Sequence, residues 1–138
     1  MKHALRKPLT MLGMSVIAIV MSFAVSSPAL AADFSMQTND SDPGGKLYWT
    51  AYGDIVTICD QEADGWAVEA SIGYWINDSS YGTEEYEFQV GGNGECATRR
   101  ANDGATWNLS ETKDIFLKVC LDKASTHVQY CDTHVWRQ

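Results

Sequence analysis

Two stretches of the chain alternate between apolar and polar positions. Trp66, Val68, Ala70, Ile72 and Tyr74 fall on one side of an extended backbone, with Ala67, Glu69, Ser71 and Gly73 between them. Tyr86, Phe88 and Val90 alternate with Glu85, Glu87 and Gln89. A period of two belongs to strands with one face in a core and one in water. Shorter runs rich in β-branched and aromatic residues surround these two, separated by Gly, Asn and Asp clusters. They predict strands over 46–52, 55–59, 66–75, 84–90, 96–101, 114–121 and 127–135. No apolar period of 3.6 residues persists beyond the first 31 residues. The pattern predicts a single all-β domain over 46–138. Its architecture is an antiparallel β-sandwich of about seven strands, of Ig-like size, with a small β-barrel as the alternative.

The N-terminal segment reads differently. Lys2, His3, Arg6 and Lys7 precede an apolar run from Met11 to Val25, and Ala29-Leu30-Ala31 supplies a small-x-small cleavage pattern. This is the layout of a secretion signal over 1–31, bacterial in style. The run is short for a spanning helix, which needs ~20 residues, so no membrane association is expected once the signal is removed. Residues 32–45, with Asn39-Asp40-Ser41-Asp42-Pro43-Gly44-Gly45, read as a flexible lead-in.

Signal removal sharpens the charge. The remaining chain keeps seven basic against 18 acidic side chains. Phosphate contacts need Lys and Arg, so an acidic surface argues against nucleic acid as a partner.

All four cysteines, Cys59, Cys96, Cys120 and Cys131, lie beyond the signal. An oxidising, extracellular setting makes two disulfides the default, with three possible connectivities. A hairpin register that sets Cys120 opposite Cys131 also sets Leu121 opposite Tyr130. It places Ile115, Leu117, Val119 and Leu121 on one face, and leaves Cys59 to pair with Cys96. There is no Cys-x-x-Cys motif or zinc spacing.

Several segments carry candidate chemistry. Asp60, Glu62 and Asp64 before Gly65 resemble the opening of a calcium loop, although Ser71 stands where a bidentate Glu is needed. An Asp-Gly hairpin turn is the competing reading. Asp132 and His134 share a strand face, which the hairpin register turns toward the apolar side. A hydrolase using them would also need a nucleophile, and Ser110, Ser125 and Thr126 lie in no catalytic frame. Glu84, Glu85 and Glu87, with Asp78 nearby, suit a solvated strand face better than a glycosidase pair. Trp49 and Trp66 read as core. Trp75, Trp107 and Trp136 lie near strand ends and are the candidates for an exposed aromatic binding patch. No cofactor is implied.

Asp60, Ala63-Asp64-Gly65 and Val68, with Val119-Cys120-Leu121 and Tyr130-Cys131, resemble features of the small secreted two-disulfide proteins that are numerous in actinobacteria. The resemblance spans about Tyr48 to Cys131. It implies a compact β-sandwich and brings no activity. The resulting expectation is a secreted, non-enzymatic domain that binds an extracellular protein or glycan. The alternatives are an inhibitor of an extracellular hydrolase, or a small hydrolase using Asp132/His134 or the acidic run.

Overall fold

The computed structural model describes residues 32–77, 82–123 and 128–138. The expected signal, Asp78, Ser125 and Thr126 lie outside the described residues. The chain forms two antiparallel four-stranded sheets. One contains β1 (Phe34–Gln37), β2 (Gly45–Thr50), β3 (Ile55–Asp60) and β6 (Cys96–Arg99), in the order β1-β2-β3-β6. The other contains β4 (Ala67–Tyr74), β5 (Glu84–Gly91), β7 (Ile115–Asp122) and β8 (Val128–Trp136), in the order β5-β4-β7-β8. This is the expected all-β sandwich.

Its core follows the period-two pattern. Met36, Leu47, Trp49, Val56 and Ile58 of the first sheet face Val68, Ala70, Ile72, Tyr86, Phe88, Ile115, Leu117, Val119 and Leu121 of the second. Gly45 lets the sheets approach, since a Cβ there would meet the Val68 methyls at 3.0 Å and Thr38 Cγ2 at 2.8 Å. Leu109, from the segment between β6 and β7, closes one end of the core.

Three features depart from the expectation. The lead-in carries an eighth strand, because Phe34–Gln37 pairs with β2 from Phe34↔Trp49 to Gln37↔Lys46. A four-residue strand with one buried side chain leaves almost no periodic signal. The segment between β3 and β4 is no hairpin, because those strands lie in different sheets. The register of β7 with β8 also slips. Leu117 faces His134 and Val119 faces Asp132, but Leu121 faces Gln129 and not Tyr130.

The slip is a β-bulge at Tyr130-Cys131, opposite Cys120, with Tyr130 at φ 54°. It turns the Tyr130 carbonyl outward to accept the Asn39 N–H at 2.9 Å. Phe34 stacks on His134 with ring centroids 3.9 Å apart. Together these contacts bind edge strand β8 to edge strand β1, one from each sheet.

Candidate binding surface

The strand directions place four connections at one end of the sandwich: β1–β2, β3–β4, β5–β6 and β7–β8. Both disulfides lie there. Cys59, one residue before the end of β3, bonds Cys96, the first residue of β6 and its register partner. Cys120 bonds Cys131 beside the bulge, on the outer face of the second sheet.

Asp60 holds the same end together. Its side chain is 2% exposed. One carboxylate oxygen accepts the Glu62 N–H at 3.1 Å and the other the Gly92 N–H at 2.7 Å. Its backbone N–H donates to the Glu95 carbonyl and its carbonyl accepts the Gly94 N–H. A buried carboxylate is stable when donors converge on it, and here they come from two loops. Asp64 Oδ1 accepts the Trp66 N–H at 2.9 Å, which shapes the turn at Gly65, φ 80°.

These bonds engage the Asp60 and Asp64 carboxylates with backbone donors, as the turn reading of this segment expects. Asp60 is buried, and Asp64 caps a turn. Among the described residues no group of three or more His, Cys, Asp or Glu side chains is placed to hold a metal ion.

On the surface of this end, Trp66 and Tyr130 lie with ring centroids 6.1 Å apart, and Lys123 Nζ sits 5.3 Å from the Trp66 ring. Tyr130 is 48% exposed and Val128 beside it is 43% exposed. Desolvation, followed by the charges of Asp42, Asp64 and Asp40, raises the Glu62 carboxyl above its ordinary range. The aromatic pair and the carboxylates are contiguous: Asn39, bonded to Tyr130, precedes Asp40, and Asp64 bonds Trp66.

The other end is built differently. The β2–β3 turn carries Tyr52, 94% exposed, beside a shallow groove of about 530 Å³ lined by Ala51, Tyr52, Gly53, Asn102 and Glu111. Beneath it, buried Asp54 accepts the Leu109 N–H at 2.8 Å, and Tyr74 Oη accepts the Ser110 N–H at 2.9 Å. Burial raises the Asp54 carboxyl, and burial with the Asp54 charge pushes the Tyr86 phenol up. Trp107 meets Tyr86 edge-on at 4.7 Å, and the Arg99 guanidinium lies 5.2 Å from the Trp107 ring. Charges here are mixed, with Arg137 paired to Asp114.

Trp75, Trp107 and Trp136 are all half-buried, and Trp107 and Trp136 pack against the core. All three lie at this same end, where strand ends in a small sandwich cap its core. Among the described residues the exposed aromatic rings are those of Tyr52 and Tyr130, which β-propensity alone does not distinguish from core tyrosines. Asp132 is exposed and bonds its neighbour's N–H, while His134 stacks on Phe34. No hydrogen bond joins the two. The Ser110 hydroxyl pairs with Thr112. Glu84, Glu85 and Glu87 are exposed on β5, an edge strand, where like charges discourage strand addition. Glu84 also borders a groove of about 490 Å³ with Phe116, Lys118, Cys131 and Thr133.

Comparisons with protein families, with curated proteins and with solved structures find no match.

Proposed function

We propose that this chain is a secreted, non-enzymatic β-sandwich that binds an extracellular protein through its disulfide-braced loop end. The observation that carries the reading is the concentration of bracing at that end. Both disulfides, the Asp60 hydrogen-bond centre and the Tyr130 bulge all lie there. A surface held rigid before contact loses less conformational entropy on binding. Partly exposed Trp and Tyr side chains offer large contact area with few rotatable bonds. Two disulfides also suit an oxidising compartment, in keeping with secretion.

The test compares binding of the oxidised protein and its Tyr130→Ala/Val128→Ser variant to proteins of the producer's extracellular milieu. Retention that the variant loses, with an unchanged melting midpoint, supports the reading. Equal retention by both proteins, or retention by neither, overturns it.

A further inference from the structure

We infer that the surface formed by exposed Tyr130 and Val128 beside the half-buried Trp66 is a docking site for a cationic, Arg- or Lys-bearing segment of a protein partner. The inference rests on the proposed binding role of this end and specifies the partner's chemistry. The aromatic surface already holds one cation, Lys123, whose ammonium lies 5.3 Å from the Trp66 ring. An incoming guanidinium or ammonium could make the same contact, with the indole quadrupole attracting it. Tyr130, tilted 55° to Trp66 and half-exposed, and Val128 extend the surface along the first residues of β8.

Charge complementarity sets the sign of the occupant. Asp42 and Asp64 are exposed and Glu62 is half-buried, and none of the three has an ion-pair partner among the described residues. Their mutual repulsion, with Asp40, helps raise the Glu62 carboxyl. A cationic segment on the aromatic surface would relieve that repulsion and lower Glu62 toward its ordinary range. An anionic or neutral segment would not. At the opposite end the acids are interspersed with cations: Arg137 pairs with Asp114, and Arg99 faces Trp107.

The probes are three ten-residue peptides, Arg/Gly, Glu/Gly and Ser/Gly, and a chitin oligosaccharide, each titrated into the 15N-labelled oxidised protein. The Arg/Gly peptide is expected to shift the amides of Asp64, Trp66 and Tyr130, with affinity that falls as salt rises. Tyr130→Ala should weaken that binding by about two- to fivefold. An Asp42→Asn/Asp64→Asn pair should weaken it more than Glu85→Gln/Glu87→Gln, which removes equal charge from the distant β5 edge. Equal losses from the two pairs would mean diffuse attraction and would overturn the inference. So would Arg/Gly shifts confined to β5. Shifts at Trp66 and Tyr130 from another probe, with none from Arg/Gly, would overturn the cationic partner but keep the loop end as a binding surface. Shifts from every active probe confined to the opposite end would overturn both.

Discussion

The Asp60 carboxylate accepts the Gly92 N–H at 2.7 Å, linking the β3–β4 connection to the β5–β6 connection across 32 residues of chain. Asp60→Ala strands the Gly92 and Glu62 donors and is expected to destabilise the fold by about 1–3 kcal/mol. Asp60→Asn keeps one acceptor and should lose less. Urea midpoints of the three proteins check the order. Millimolar calcium should leave the wild-type melting midpoint unchanged, because ligand binding to the folded state would raise it.

Gln89 bridges two acids on the outer face of the second sheet. Its Nε2 donates to Glu69 at 2.5 Å and to Asp122 at 3.0 Å. The amide's two hydrogens match the two acceptors. Gln89→Leu should lower stability by about 1–3 kcal/mol at neutral pH, since both acids are buried. Denaturation midpoints of the two proteins measure the difference.

The two disulfides should open in order. Cys96 is exposed, whereas Cys120 is 1% exposed. Limited reduction followed by alkylation and peptide mapping should label Cys59 and Cys96 before Cys120 and Cys131. Chain entropy gives ~4 kcal/mol for the bridge spanning 37 residues and ~3 kcal/mol for the one spanning 11. A Cys59→Ala/Cys96→Ala variant should therefore lose more stability than Cys120→Ala/Cys131→Ala.

Asp54 makes a pH-dependent contribution with the opposite sign to that of a salt-bridged acid. Burial raises its carboxyl above the ordinary value of 3.8, so the folded state binds this proton more tightly than the unfolded chain. Its contribution grows as pH falls through the folded value toward 3.8 and is lost as pH rises. Asp54→Asn keeps an acceptor for the Leu109 N–H and tolerates φ 49°. It should raise the melting midpoint at neutral pH and give little gain in acid. Asp54→Ala removes the acceptor and should cost about 1–3 kcal/mol at neutral pH.

The parts of the fold legible in the sequence are those with a strong local period. Strands β4 and β5 carry the apolar alternation as read and bury Val68, Ala70, Ile72, Tyr86 and Phe88, but central strand β4 also buries the intervening Glu69 and Ser71, which the alternation assigns to the water-facing side. The hairpin of β7 and β8 was legible for a related reason. Cys120 and Cys131 fall at matching positions around a short polar connection, and the bulge alters the pairing only beyond them. Strand β1 was not legible, because its pairing is supplied by β2 and its own four residues carry little signal.

The binding surface was legible only in part. Asp60 and Asp64 stood out as acids beside a glycine, a pattern that fits a cation loop and also a buried N–H acceptor. Which one it becomes depends on Gly92, far away in the chain. Exposed Tyr130 could not be told from a core tyrosine, because the left-handed φ that turns it outward belongs to a bulge.

What the amino-acid order determined by itself was local: extended strands with one apolar face, cysteines spaced for two bridges, and an acidic excess. What only the tertiary structure decided was which loops share an end of the sandwich. It gathered both disulfides, the Asp60 centre, Trp66 and Tyr130 there and left Tyr52 at the opposite end. The physical reason is that strand direction and inter-sheet crossings arise from long-range burial, which places residues distant in sequence together without any local signal.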